Sequence, residues 1–261
     1  MLLGLGLVIY SHFLGTKGLY IREYAITNEK IPKSFDGFKI VHFSDLHYGS
    51  TIRNKEMEKI VNEINRLKPD LVVFTGDLID EPYQMTDDDI QNLIKYLNNI
   101  NSSIGKYIIN GNHDVKDSFQ KVVQNIDFKD LNNKNELVYY KGNVPINLVG
   151  LDDYLNHTMD INEAFNYEND YYTILLAHEP DVFDRISYDI DLMLSGHSHN
   201  GQVRLPFIGV LGTPEGSKKY FDEKYKINKT EMYISGGLGT SMAPFRFLVK
   251  PSINFYRLYA K

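Results

Sequence analysis

The sequence contains no cysteine among its 261 residues, which excludes a disulfide framework and any metal site built from thiolates. A metal site in this chain must therefore use histidine, carboxylate or amide side chains. The lack of cysteine is compatible with either side of a bacterial membrane, so it leaves the compartment open.

The sequence also lacks an excess of positive charge. It carries 28 basic and 34 acidic residues, a net charge of −6, and its isoelectric point is about 5.8. This balance argues against a protein that binds nucleic acid through a broad cationic surface, so no nucleic-acid partner is expected. Hydrophobic residues make up 43% of the chain, which is enough for a full core and argues against disorder.

No apolar run reaches the length of an ordinary membrane-spanning helix, which needs about 20 residues. The apolar run at the start of the sequence, MLLGLGLVIYSHFLG, is shorter than this. It also lacks the basic residues that begin a signal peptide. Three interpretations stay open: a short transmembrane anchor, an interfacial anchor, or an apolar helix packed on the domain. We favour attachment to the cell membrane, on a side left undetermined. Residues 1–20 are therefore treated as a possible membrane anchor and 21–261 as one domain.

What the sequence does contain is an alternation of strand and helix patterns. Short apolar runs predict strands. In the first half of the chain, apolar residues that recur every three or four positions between these runs predict helices. Strand–helix alternation followed by further strands predicts a layered α/β sandwich. Residues 86–89 and 132–136 are polar and are predicted to be loops. The predicted strands lie at 38–43, 71–74, 107–109, 146–151, 173–177, 191–194, 224–228, 232–235 and 253–259.

Metal-capable side chains directly follow five of these strands. In open α/β sheets ligands bind at the carboxyl ends of the strands, so these side chains are expected to converge on one edge. Histidine, carboxylate and amide ligands suit Mn, Fe, Zn or Co. Seven such ligands exceed the needs of one ion and suit two ions that share a carboxylate, an arrangement that promotes attack on phosphorus. The five blocks read SDLH, TGD, NGNHD, HEP and SGHSH.

The order of these blocks, D-x-H, G-D, G-N-H-D, H and G-H-x-H, resembles the calcineurin-like metallophosphoesterase family. The resemblance extends from about Phe35 to the C terminus. The lead-in YAITNEKIPKSFDGFKIVHFSDLH and the later GHSHNGQVRLPF are similar to the membrane-linked bacterial branch, with its cell-wall phosphoesterases and UDP-2,3-diacylglucosamine hydrolases. The fold implied by this resemblance is an α/β/β/α layered sandwich.

The resemblance also implies a role for each matched residue. His113 would protonate the leaving oxygen, and Asp114 would orient its ring. Asp77 would bridge the two metal ions. One ion would be held by Asp45, His47, Asp77 and His199, and the other by Asp77, Asn112, His178 and His197.

By this resemblance the chain is expected to be a phosphoester hydrolase with two divalent metal ions as cofactors, either Mn, Fe, Zn or Co. Hydroxide bound to the ions would attack phosphorus, because such an ion lowers the pKa of its water to about 7. The expected substrate is a phosphodiester or pyrophosphate of the membrane or cell envelope, either lipid-linked or cell-wall-derived. A nuclease or nucleotide phosphatase of the same superfamily is the alternative. A non-catalytic scaffold would have lost ligands, and none is missing here.

Several further polar residues admit two interpretations. His42 lies inside the first strand and is expected to be packed or to support a ligand. Arg204 follows the histidine pair and could contact phosphate or lie at the surface. Asp80 and the pair Asp152 and Asp153 are expected to be loop residues rather than supports of the site.

Overall fold

The structure, a computed structural model, describes residues 2–166 and 170–261. Two six-stranded sheets lie face to face, and helical segments cover the outer face of each. The predicted α/β/β/α layered sandwich is therefore confirmed.

The first sheet is mostly parallel, and its central strands are almost entirely apolar because both of their faces are buried. In spatial order its strands are Tyr20–Asn28 (β1), Ser252–Ala260 (β14), Lys39–Phe43 (β2), Leu71–Thr75 (β3), Gly105–Ile109 (β4) and Lys129–Asp130 (β5). Only β14 and β2 pair in the antiparallel sense.

Three helices cover the outer face of this sheet: Asn54–Leu67 (α2), Asp87–Asn98 (α3) and Asp117–Val123 (α4). The start of α3 is fixed by a capping box, because the N–H of Asp89 donates to the Thr86 hydroxyl and the N–H of Thr86 donates to the Asp89 carboxylate. Residues 87–89, which belong to a polar segment predicted to be a loop, therefore form the first turn of α3.

The second sheet has four parallel central strands with an antiparallel strand at each edge. The polar residues 132–136 were predicted to be a loop, but most of them belong to the edge strand β6 (Lys134–Val138). An edge strand with one exposed face tolerates polar side chains, so this strand contains no apolar run that would predict it. In spatial order the strands are Lys224–Ile227 (β12), Thr230–Ile234 (β13), Leu192–Ser195 (β9), Thr173–Leu176 (β8), Ile146–Gly150 (β7) and Lys134–Val138 (β6).

The main core lies between the two sheets. Ile40 and Val73 of the first sheet face Leu176 and Leu194 of the second, and all four side chains are buried. A smaller core covers the outer face of the second sheet, beneath the short helix α5 (Ile161–Ala164) and a 3₁₀ turn at Pro180–Arg185. This packing holds the ends of the two sheets beside each other.

The N-terminal residues form helix α1 (Leu2–Phe13), which is about 18 Å long. Its end contacts the domain, since the N–H of Arg246 donates to the Ser11 carbonyl and the His12 ring lies 3.0 Å from the Pro244 carbonyl. Beside it lies a small hairpin of Arg204–Leu205 (β10) and Gly209–Val210 (β11). Within residues 2–166 and 170–261, no helix combines the length and apolar character needed to cross a bilayer.

Candidate metal centre

The five predicted blocks meet at one end of the sandwich, where the carboxyl ends of β2, β3, β4, β8 and β9 lie together. Three overlapping groups of side chains each bring their ligand atoms within 4.8 Å of one another. Such a convergence of strand ends is the usual binding edge of an α/β sheet. The groups are Asp45, His47 and His199; His47, Asp77 and His113; and Asp77, His178 and His197.

One half of the cluster joins the ends of β2 and β9. The Nε2 atom of His199 lies 3.3 Å from Oδ1 of Asp45 and 3.2 Å from Nε2 of His47. The same His47 nitrogen lies 3.5 Å from Oδ2 of Asp77. All four residues predicted for the first ion therefore lie together, and all are buried.

The other half of the cluster joins the ends of β3, β8 and β9. Nε2 of His178 lies 3.3 Å from Oδ2 of Asp77 and 3.2 Å from Nδ1 of His197. Oδ1 of Asn112 is buried and has no hydrogen-bond partner among the described residues, and Asn112 lines the same cavity as Asp77 and His197. The structure thus brings the four residues predicted for the second ion to one place.

Asp77 lies between the two halves. Its Oδ1 atom accepts the backbone N–H of His113 at 2.9 Å, which leaves Oδ2 to face both His47 and His178. Burial alone would raise the pKa of Asp77, but the neighbouring histidines, His178 first, outweigh burial and hold that pKa well below its usual range. The carboxylate is therefore ionised, as a bridging ligand must be.

The outer nitrogens of two histidines are held by backbone carbonyls. Nδ1 of His178 donates to the carbonyl of Thr75 at 2.7 Å, and Nε2 of His197 donates to the carbonyl of Glu215 at 2.5 Å. Each bond assigns a proton to the outer nitrogen, so the other nitrogen faces the cluster. Burial lowers the pKa of His197 to about 4 and that of His47 to about 3. Burial acts in the same direction on His178, but the Asp77 carboxylate outweighs it and raises the pKa of that ring well above its usual value. Neutral imidazole is the form that binds metal, so an ion at this position would displace a proton from His178.

The backbone of the site adopts conformations that ordinary residues avoid. Five predicted ligands have φ between 42° and 66°, in the left-handed region. Each such residue costs about 1–3 kcal/mol and persists only where surrounding contacts impose it, typically at functional sites. The five are Asp45, His47, Asp77, His197 and His199.

His113 and Asp114 have different surroundings from those expected. The carboxylate of Asp114 accepts the backbone N–H groups of Asp77, Leu78 and Gly111 at 2.8–2.9 Å, so it supports the turn that carries Asp77. The carboxylate beside Nδ1 of His113 is instead that of Glu81, at 3.4 Å. The expected orienting contact from Asp114 is therefore corrected, because backbone donors already occupy both of its oxygens.

A buried arginine that the sequence does not mark supports the site. Arg246 is wholly buried, donates to the carbonyls of Gly236 and Gly239, and places a guanidinium nitrogen 3.2 Å from Nδ1 of His199. No pattern in the sequence marks this arginine, because its partners are mostly backbone atoms. Arg204, by contrast, pairs with Asp222 away from the cavity that Asp77 lines.

The segment after β7 also supports the site. Asp153, expected to be a loop residue, is fully buried; it accepts the N–H of Asn156 at 2.8 Å and contacts the His157 ring at 2.9 Å. Asn156 in turn donates to the carbonyl of Asn112 at 2.7 Å. This chain of bonds fixes the segment that carries the unpartnered Asn112 side chain. Asp80, the other presumed loop residue, lies 3.7 Å from Nδ1 of His47.

The side chains brought together here fit divalent metal ions. Ring nitrogens of His47 and His199, and of His178 and His197, lie 3.2 Å apart, and Oδ1 of Asn112 lacks a donor. A cation among these atoms satisfies all of them, whereas a proton shared within each histidine pair leaves the Asn112 oxygen without a donor. Nitrogen and oxygen donors without sulfur are those preferred by Mn, Fe, Zn and Co.

Comparison with known proteins agrees with this chemistry. Residues 38–201 match the model of the calcineurin-like phosphoesterase family. The chain is 35% identical to the uncharacterized metallophosphoesterase YkuE of Bacillus subtilis over 95% of this chain and 88% of that protein. It is 32% identical to an uncharacterized metallophosphoesterase of Aquifex aeolicus over 94% of this chain and 93% of that protein.

Other relatives are longer. The chain is 28% identical to a transmembrane protein with metallophosphoesterase domain of Danio rerio, covering 95% of this chain and 59% of that protein. Among solved structures, the NAD nucleotidase of Haemophilus influenzae shares the fold with a TM-score of 0.52 at 14% identity, over 77% of this chain and 45% of that one. From the family match and the close relatives, the chain belongs to the calcineurin-like phosphoesterase family and is a metallophosphoesterase, a hydrolase of phosphoric esters.

Proposed function

We propose that the chain hydrolyses phosphodiesters or pyrophosphates with two divalent metal ions, on a substrate of the membrane or cell envelope. The observation that carries this proposal is the position of Asp77, whose free oxygen lies 3.5 Å from His47 on one side and 3.3 Å from His178 on the other. A single carboxylate between two sets of nitrogens suits a pair of ions.

In this proposal the two ions have the ligands expected from the sequence. When bound, they would supply positive charge for the phosphate group and lower the pKa of a water molecule. The chain itself supplies the rigid frame, because backbone bonds hold His178, His197 and Asp77 before any ion arrives. The first ion would lie among Asp45, His47, Asp77 and His199, and the second among Asp77, Asn112, His178 and His197.

His113 is the proposed proton donor to the leaving oxygen. It lines the cavity, and its Nε2 atom lies 3.9 Å from Oδ2 of Asp77, within reach of a phosphate held at the cluster. The Glu81 carboxylate lies 3.4 Å from the other nitrogen and would attract the ring electrostatically when the ring is protonated. A well-placed general acid of this kind contributes about 10²–10⁴-fold to the rate.

The side chains that line the cavity support a diester rather than a monoester. The cavity has a volume of about 340 Å³, and neither lysine nor arginine occurs among the described residues that line it. Asp80 and Glu81 add two carboxyl groups to its wall. Both esters would be attracted by the ions, but the wall carboxylates repel the two negative charges of a monoester more than the single charge of a diester.

The same lining disfavours the nuclease alternative, because binding a polynucleotide needs cations along a groove. The envelope substrate is supported by the transmembrane proteins of Danio rerio and Bos taurus among the relatives. It is also supported by the apolar helix α1, which lies beside residues that line the cavity.

The proposal is tested with purified protein supplied with Mn²⁺ and three substrates: bis-p-nitrophenyl phosphate, p-nitrophenyl phosphate and UDP-diacylglucosamine. We expect the diester to be hydrolysed with a higher kcat/KM than the monoester, and Asp77→Ala to hydrolyse neither. A higher kcat/KM for the monoester would overturn the assignment. Hydrolysis of UDP-diacylglucosamine would identify the pyrophosphate of a lipid-linked nucleotide as a substrate.

A further inference from the structure

We propose that one surface of the protein, here called the docking face, binds the headgroup region of an anionic lipid bilayer and places the catalytic cavity at the edge of that contact. The docking face consists of helix α1, the β10–β11 hairpin and residues 242–248. This inference deepens the proposed function and rests on it for the envelope substrate, whereas the binding surface itself is argued from exposed side chains and charge.

The docking face exposes large apolar side chains to an unusual degree. Phe207 at the tip of the hairpin and Met242 are fully exposed, and Ile208 is 71% exposed. At the end of α1, Phe13 and the following Leu14 are 60% and 58% exposed. A continuous apolar patch of this kind on a soluble domain marks an interaction surface.

The three parts of the docking face form one surface. The end of α1 is bound to the loop before β14 through the bond from Arg246 N–H to the Ser11 carbonyl, and Tyr10 contacts the Phe247 ring edge-on. Between α1 and the hairpin lies an apolar cavity of about 300 Å³, lined by Val8, Leu205 and neighbouring apolar residues. The helix and the hairpin therefore present their apolar side chains together.

The charge of the docking face fits an anionic partner. The segments 1–22, 192–214 and 232–250, which build it, contain none of the chain's 34 acidic residues. Lys17 is exposed just after α1, and Nζ of Lys250 donates to the Leu14 carbonyl at the same end of the helix. The Asp222 carboxylate, from outside these segments, is paired with Arg204 of the hairpin. Lys17 and Lys250 therefore make this part of an acidic chain positively charged, which attracts anionic headgroups.

The same charge argues against a second copy of this chain as the occupant. Pairing two docking faces would bring Lys17 and Lys250 of each copy close to those of the other without a carboxylate from these segments between them. An anionic bilayer instead offers both negative headgroups and an apolar layer, as interfacial helices with flanking cations require.

The docking face borders the catalytic cavity. Met242 and Pro244 line that cavity, and the Pro244 carbonyl also contacts the His12 ring of α1. A bilayer seated on the docking face would therefore lie next to the opening that leads to Asp77 and His113. A phosphoester group near the membrane surface could reach the site without leaving the headgroup region.

The test uses the full chain and sedimentation with vesicles of phosphatidylcholine alone or mixed with phosphatidylglycerol. We expect binding to the mixed vesicles and at least about tenfold weaker binding by the double variant Phe207→Ser, Ile208→Ser, which removes two exposed apolar side chains. The control is Tyr139→Ser, Val144→Ser, whose side chains are 51% and 54% exposed in the turn between β6 and β7, away from the docking face. The control should bind like the unaltered chain.

Activity on soluble bis-p-nitrophenyl phosphate separates the two proposals. Neither double variant alters a residue of the metal cluster, so both variants should retain this activity. The docking face is overturned if the active chain binds neither kind of vesicle, or if the hairpin variant binds as well as the control. Neither result contradicts the proposed function. Dimers detected by light scattering without vesicle binding overturn it in favour of a second copy. An inactive chain that binds the mixed vesicles overturns the proposed function alone.

Discussion

The ring of His113 lies farther from Asp77 than the rings of His47 and His178. Its Nε2 atom is 3.9 Å from Asp77, whereas the histidines proposed as ligands approach their neighbours to between 3.2 and 3.5 Å. Removing its ring should therefore leave the ligand cluster intact. The role proposed for it concerns the leaving group and not the metal ions.

We predict that His113→Ala lowers turnover about 10²–10⁴-fold without changing the metal content measured by elemental analysis. The loss should be smaller for p-nitrophenyl esters than for alkyl esters, because a weakly basic leaving group needs little help from a proton donor. His12→Ala, which alters a histidine outside the cavity lining, serves as the control. Loss of the metal ions from His113→Ala would contradict the role.

At the residue scale, the sequence predicts the site residues that follow strands in short motifs. It does not predict Arg246 or the contact of Glu81 with His113, because Arg246 and Glu81 belong to no motif and are distant in sequence from the histidines they contact. The family resemblance implied that the Asp114 side chain orients the His113 ring. In the structure its oxygens bind backbone N–H groups instead.

At the scale of elements, the turns that follow the strands determine how closely the ligands can approach. A methyl group added to Gly111 would lie 2.4 Å from Oδ1 and 2.5 Å from the backbone nitrogen of Asp77. Both are shorter than any ordinary contact of a Cβ atom. The turn after β4 thus needs glycine for space, whatever its backbone angles.

We predict that Gly111→Ala displaces Asp77 and weakens metal binding about 10–100-fold, as disturbed support of a ligand does elsewhere. Titration calorimetry with Mn²⁺ measures the change. Gly212→Ala is the matched control, because a methyl group there meets no atom within 4 Å. Equal affinities for the two variants would show that the turn can yield without moving the carboxylate.

The elements themselves were predictable where both faces of a strand are buried, since β2, β3, β7, β8 and β9 are short apolar runs between polar turns. The edge strand β6 was missed because water covers part of it. Strand β1 was missed as well, because its exposed and half-buried residues give no apolar run. Pairing partners, including the parallel pair of β1 and β14, depend on contacts that no local pattern encodes.

At the scale of the whole molecule, the candidate metal centre joins the two sheets. Asp45 and Asp77 come from the first sheet, whereas His178, His197 and His199 come from the second. Ligands that bind only the folded arrangement stabilise it, and the stabilisation grows with the logarithm of their concentration relative to the Kd. The stability of the sandwich should therefore depend on metal.

We predict that removing metal with a chelator lowers the Tm by about 5–10 °C, which corresponds to about 2.7 kcal/mol of binding energy at an ion concentration of about 100 Kd. Differential scanning calorimetry measures the change, and Asp77→Ala should show no such difference. Burial raises the pKa of Asp45 to about 6, so the difference should shrink as the pH falls below that value and the carboxyl is protonated. A chelator effect that persists in Asp77→Ala would place the ions elsewhere.

The origin of the ligands in both sheets has a consequence for biosynthesis. Asp45, His47, Asp77 and Asn112 leave the ribosome well before His178, His197 and His199 are made. A growing chain therefore holds only part of a donor set, and the second sheet must assemble against the first before the set is whole. With the proposed ligand set, a nascent or truncated polypeptide that lacks the second sheet would lack hydrolytic activity.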